Sequence, residues 1–209
     1  MSKKEKLLAC FTPDELTPKF RALLDLYFEE NIIPCVACEL HPAYGGDGLQ
    51  HTFTTAELHA RNKHRFVVLG QATHTGSEYL LLRPETPCPV DEWPVVVSGD
   101  EGGVAVLAQN LDDWLRFLTL NAQPYVSEEW EHDATTGTFI DKGVSFEIAV
   151  AQEEDEETED NAAYTAWLSA TFGLLPITSP EQAEIEVIGP ARQHYQAEVD
   201  HLIKGETTA

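Results

Sequence analysis

Cys35, Cys38 and His41, in the pattern Cys-x2-Cys-x2-His, are the residues whose types and spacing could do chemistry. Two thiolates and an imidazole so spaced can share a tetrahedral zinc, but a closed structural site needs a fourth ligand. His51, His59 or Cys88 could supply it only if the fold carried one of them in. A thioredoxin-type redox role lacks its context, because Pro34 precedes the first thiol and no strong helix follows it. The expectation is two small buried thiols beside a loop histidine, with no metal, no cofactor and no enzyme. A small zinc-dependent enzyme is the competing reading from another function class.

His41, His51, His59, His64 and His74 crowd one stretch of chain, yet they fit no ligand or general-base template. There is no H-E-x-x-H, no G-x-S-x-G and no Walker loop. Gly99, Gly102 and Gly103 could suggest a phosphate cradle, but Asp100 and Glu101 inside the same loop would repel phosphate, so a hairpin turn explains the glycines better.

The elements that must position any site follow from pattern. Thr12-Pro13-Asp14-Glu15 has the form of a capping box, with Thr17-Pro18 as a second start, and Phe20, Leu23, Leu24, Tyr27 and Phe28 form the stripe of the helix that follows. Residues 34–50, with Gly45, Gly46 and Gly48, read as a loop, and Thr54 with Glu57 as a short helix start. Phe66 to Leu69 and Tyr79 to Leu82 have strand length around Thr75-Gly76, and Val95 to Val97 and Val104 to Leu107 resume β structure after a proline-rich connection. Asn110 caps a helix whose Leu111, Trp114, Leu115 and Leu118 must cover that sheet. Phe139 to Val150 is expected to be a hairpin turning at Asp141-Lys142-Gly143.

Seven carboxylates in the eight residues Glu153 to Asp160 read as a solvated linker. Beyond it, Tyr164, Trp167, Leu168 and Phe172 mark one helix, and Gly189-Pro190 opens another that carries Tyr195, Val199, Leu202 and Ile203 and closes at Gly205. The fold class is α+β: an antiparallel-rich mixed sheet covered by helices in residues 1–150, then an acidic linker and helical extension, 151–209, packed on that core or tethered to it.

Composition sets the partner class. Among 209 residues, 43% are hydrophobic, with 4 Trp, 9 Phe and 6 Tyr, which an acidic disordered chain could not show. Asp and Glu number 36 against 13 Lys and Arg, a formal net charge of -23, so the surface repels nucleic acid and anionic lipid and attracts a basic protein. Leu7-Leu8-Ala9-Cys10 imitates a lipoprotein box, but Glu5 and Lys6 stand directly before a run too short for a signal segment, and no stretch has the length of a membrane span. The four cysteines are too sparse for a disulfide framework and fit a reducing compartment, so the expected location is the cytoplasm.

Residues 65 to 120 resemble the SUKH superfamily of Syd-like proteins, yeast cell-wall-assembly regulators and bacterial toxin-immunity proteins. Arg65-Phe66-Val67-Val68-Leu69-Gly70 through Thr75-Gly76-Ser77-Glu78-Tyr79-Leu80-Leu81-Leu82 is similar to the family's strand, turn and next strand. Trp93-Pro94-Val95-Val96-Val97, Asp100-Glu101-Gly102-Gly103 and Val106 to Leu115 are similar to its closing turn, strand and helix, while its entry signature is reduced here to His41-Pro42-Ala43-Tyr44-Gly45-Gly46. The resemblance implies a non-enzymatic binder, in the bacterial case an immunity protein that occludes a cognate toxin, commonly a nuclease. A regulator or scaffold of the same fold is the other binder it allows. The expected contact carboxylates are Glu78, Asp91, Glu92, Asp100 and Glu101 at turns and strand ends, with Glu153 to Asp160 as a second acidic group.

Overall fold

The computed structural model describes every residue except 44–46, 50–51, 134–137, 152–157 and 206–209, and describes 133, 139–141, 158 and 159 by their backbone. His51, the Tyr44-Gly45-Gly46 segment and most of the acidic run at 153–160 lie outside the described residues. The elements run α1 (Lys3–Leu8), α2 (Pro18–Phe28), β1 (Glu39–Leu40), α3 (Ala56–Asn62), β2 (Phe66–Gln71), β3 (Glu78–Leu82), β4 (Val95–Ser98), β5 (Val104–Ala108) and α4 (Leu111–Leu118). There follow β6 (Ala122–Asp133), β7 (Thr138–Val150), α5 (Thr158–Phe172), α6 (Pro180–Ala183) and α7 (Gly189–Lys204).

Strands β1 to β5 form one sheet in chain order, and every ladder in it is antiparallel, as consecutive strands joined without a helical crossover must be. Among the described residues a parallel contact occurs only as an isolated bridge between Glu101 and Ser127. The central strands are apolar at nearly every position because both faces are covered. Val67, Leu69, Tyr79, Leu81, Val95, Val97 and Leu107 point into one cluster, which takes Leu7 of α1, Phe20 and Leu24 of α2, Trp114 and Leu118 of α4 and Tyr164 and Leu168 of α5. The alternate residues Phe66, Val68, Leu80, Leu82, Val96, Val104 and Val106 meet Ala191, Val199, Leu202 and Ile203 of α7 on the other face. The helices after residue 150 therefore pack on the sheet, where the sequence left docking or tethering open.

Several boundaries differ from the sequence reading for identifiable reasons. Thr12 to Glu15 makes a turn, with the Thr12 N–H donating to the Glu15 carboxylate at 2.8 Å, and the helix waits for Thr17, whose hydroxyl accepts from the Phe20 N–H at 3.1 Å. Thr55, one residue later than expected, caps α3. Asp141-Lys142-Gly143 does not turn a hairpin: it lies within β7, which pairs along its length with β6. Gly143 faces Glu129 and Asp141 faces Trp130, so Lys142 is the extra residue of a β-bulge, and the positive φ of 102° at Gly143 serves that bulge. Turn and bulge ask for the same glycine, so local sequence cannot separate them. Gly189-Pro190 likewise does not begin a helix from a loop. The helix starts at Pro180 behind the Ser179 cap and passes through a π-turn at Glu184–Ile188, where the Gly189 N–H donates to the Glu184 carbonyl. Pro190 has no N–H to give and its ring crowds the carbonyl of a regular turn, so the backbone widens just before it.

Strand β5 is the outer strand of the sheet, and α7 seals its edge with side chains. The Gln196 amide accepts from the Val106 N–H at 2.9 Å and donates to the Val104 carbonyl at 3.1 Å, imitating the strand that is missing there.

Trp114, fully buried, meets Tyr79 edge to face at 5.4 Å between ring centroids, which pins α4 to the sheet. Trp114→Ala is expected to cost about 3–5 kcal/mol, measured by denaturant unfolding; a midpoint unchanged from the parent would show that α4 does not hold the sheet.

Candidate functional site

The five carboxylates expected to contact a partner separate into two groups. In the β3–β4 ladder Glu78 pairs with Ser98 and Leu81 with Val95, so Glu78 shares one end of the sheet with the 99–103 turn, where Asp100 and Glu101 sit. Asp91 and Glu92 lie in a 3-10 turn before β4, at the opposite end, a separation of at least four strand residues or roughly 13 Å. Asp91 accepts a hydrogen bond from the Thr17 hydroxyl that also caps α2, so it is engaged in holding that helix. Glu92 is exposed beside it.

At the first end each carboxylate has a different task. Asp100 accepts from the Ser77 hydroxyl at 2.7 Å and the Thr75 hydroxyl at 3.1 Å, which ties the β2–β3 turn to the β4–β5 turn. Glu101 is exposed and its backbone bridges to Ser127. Glu78 is half-buried, its carboxyl forms no hydrogen bond or ion pair among the described residues, and burial pushes that carboxyl up to about 7.

The β6–β7 ribbon completes this end of the molecule, and the glycines of the turn admit it. A Cβ on Gly99 would lie 2.1 Å from the Val126 carbonyl oxygen, and one on Gly103, at φ 82°, would lie 3.1 Å from the Val144 side chain. The Gly-rich turn is thus shaped for a crossing backbone, not for phosphate. That crossing brings Glu128 against Gly102 and places Trp130 beyond it, 54% exposed and flanked by Glu129 and Glu131. Sequence reasoning missed these ribbon residues. The signal was a tryptophan set among carboxylates in Ser127-Glu128-Glu129-Trp130-Glu131-His132, an arrangement with no buried role to explain it. The surface can hold an apolar or cationic side chain on the Trp130 ring and attract basic partners from a distance.

The cysteine–histidine motif is built differently from a metal site. Cys35 and Cys38 are buried in the core on the helical face of the sheet, while the chain then extends through β1, and His41 places Nδ1 2.9 Å from the Pro42 carbonyl. Residues three apart along an extended segment point to opposite sides, which separates Cys38 from His41. Among the described residues no three His, Cys, Asp or Glu side chains gather as metal ligands would. His59 pairs with Asp47 at 2.8 Å on α3, and His64 and His74 are exposed on separate turns. Cys88 sits apart near Trp93, whose indole N–H donates to the Cys88 carbonyl at 3.1 Å.

No family model, curated protein or solved structure matches the chain. No described helix is long and apolar enough to cross a membrane.

The unpartnered Glu78 gives a pH test. Its folded pKa of about 7 lies above the ordinary value of 4.5, so the native state holds a proton that the unfolded chain has lost. Stability from this group therefore falls as pH rises from about 4.5 to about 7 and is level above that range. Glu78→Gln should gain on the parent in melting temperature between pH 5 and pH 8, read by thermal melts in matched buffers. A gap between the two proteins that does not change with pH would mean Glu78 is freely solvated.

Proposed function

We propose that the chain is a non-enzymatic binding protein that captures a basic protein partner on the acidic end of its sheet, and that the partner is a toxin domain whose active site it occludes. The observation that carries the reading is Trp130, 54% exposed between Glu129 and Glu131 on a ribbon strand that bridges to Glu101 at Ser127 and lays Glu128 against Gly102. Tight interfaces depend on a few aromatic or arginine anchors surrounded by complementary charge, and this surface offers an aromatic anchor inside a negative field. Nuclease toxins must hold polyanions, so their working surfaces are basic and match a chain of net charge -23 in sign. The similarity of residues 65 to 120 to the SUKH superfamily points to the same class, and it rests on the motifs alone. A cytoplasmic location fits both the partner and four cysteines of which none is in a disulfide. The proposal includes no cofactor, metal, nucleic acid or membrane as ligand.

Stopped-flow binding to the product of the adjacent gene tests this reading. Raising salt should slow association strongly and dissociation weakly, and Glu101→Lys with Glu128→Lys should slow association further. Trp130→Ala should weaken binding by about 30-fold or more through faster dissociation, while leaving the melting temperature close to that of the parent because the ring is exposed. Association that ignores both salt and charge reversal would remove the electrostatic argument. Failure to bind the adjacent product, with retained affinity for another basic cytoplasmic protein, would favour the regulator of the same fold.

A further inference from the structure

Lys3, Lys4, Lys19, Lys63, Arg65, Arg83, Arg116 and Lys142 each pair with a carboxylate. The other five, Lys6, Arg21, Arg61, Arg192 and Lys204, join no ion pair among the described residues; the first three are exposed to water, whereas Arg192 and Lys204 are partly buried. Both line the same cleft, about 270 Å³, whose floor is Val104 and Ala105 of β5 and whose wall is Val144 and Phe146 of β7. Arg192 is held there from two sides: Nε donates to the Val106 carbonyl at 3.3 Å, and the guanidinium lies 4.0 Å over the centre of the Phe146 ring. Its Nη2 is buried and meets no acceptor among the described residues. Leaving a charged donor desolvated and unpaired is costly, and the ion pairs formed elsewhere in the chain show that carboxylates were available to prevent it. Burial pulls the Arg192 pKa below the usual guanidinium value, with Glu184 opposing through its field.

We propose that this cleft binds a small organic acid, its carboxylate on the Arg192 guanidinium and its apolar body between Val104, Val144 and Phe146. A guanidinium held in place by a carbonyl and an aromatic ring, with no carboxylate of its own among the described residues, is the group best suited to a planar carboxylate. The rest of the cleft limits the ligand further. Gln196 is already committed to the edge of β5 and to Asp200, to which its Nε2 donates at 3.2 Å. The Asp200 carboxylate beside it disfavours a dianion such as a phosphate monoester, and leaves Lys204 to balance the far end. The cleft is somewhat smaller than the roughly 300–1,000 Å³ of ordinary ligand pockets, which suits a monocarboxylate and excludes a nucleotide. Its walls come from the ribbon on one side and from α7 and β5 on the other, so an occupied cleft fastens the ribbon to the sheet. The site shares no side chain with the acidic surface assigned to partner binding, and either can fail without the other.

The full-length chain, labelled with 15N, is titrated with benzoate, butyrate and phenylacetate, and with benzamide as an uncharged control. Saturable binding tighter than about 1 mM for at least one acid is expected. It should shift the Arg192 side-chain Nε resonance and the amides of Ala105, Val144 and Gln196, and raise the melting temperature, while benzamide does neither. Arg192→Met should weaken binding by at least about tenfold. Val144→Glu, which puts a carboxylate at the partly exposed mouth of the cleft, should block the acid without removing the guanidinium, and it serves if Arg192→Met does not fold. No saturable shift with any of the three acids, equal binding of benzamide, or binding that survives Val144→Glu would each overturn the proposal.

Discussion

Strands with apolar side chains on both faces leave a sheet with no side to give to water, and most of the architecture answers that requirement. The face carrying Tyr79 and Val97 is covered early, by α1, α2 and α4, and late, by α5. The face carrying Leu80 and Val96 waits for α7, near the end of the chain. Burial on this scale, at roughly 25 cal/mol per Å² of apolar surface, is what holds the terminal helices to the sheet. The sheet cannot be complete until the last helix arrives, so the fold depends on contacts between residues 90 or more positions apart, such as Gln196 hydrogen-bonded to the Val106 N–H across 90 positions and to the Val104 carbonyl across 92.

Covering the faces leaves the edges. One edge is the two-residue β1, too short to recruit another chain, and the other is β5, sealed by Gln196 and Arg192 from α7. The β6–β7 ribbon then crosses the β4–β5 turn, at a distance that only glycine at position 99 permits. The same crossing generates both functional proposals, since it lifts Trp130 into solvent on one side and closes the Arg192 cleft on the other.

The charge distribution follows from how few cations there are. Arg65 reaches Glu198 at 2.7 Å, Arg83 reaches Glu15 at 3.0 Å, and Lys4 and Arg116 bind carboxylates of neighbouring helices, so the cations mostly fasten elements to one another. Exposed pairs of this kind contribute little stability singly. Their larger consequence is that the remaining surface is left to Asp and Glu, and its field is negative over long range.

The α+β class, the helix Leu111–Leu118 with its Asn110 cap, the four main strands and the Gly205 helix end were all legible in the sequence, because each depends on periodicity or on a cap within a few residues. Glu78, Asp100 and Glu101 were recognisable as turn carboxylates, but not that Asp100 is bound by two hydroxyls while the Glu78 carboxyl has no partner among the described residues, since those facts belong to neighbouring strands. Asp141-Lys142-Gly143 and Gly189-Pro190 gave correct signals of backbone departure, but the first was misleading as a chain reversal and the second as a helix start, because a bulge and a π-turn use the same residues. Cys35, Cys38 and His41 kept the spacing of ligands while β1 carried His41 away from the two thiols. Local sequence determined where the backbone must be regular and where it must break. Only the tertiary structure decided which breaks reverse the chain and which charges remain unpaired, because both depend on what packs against a residue from far along the chain.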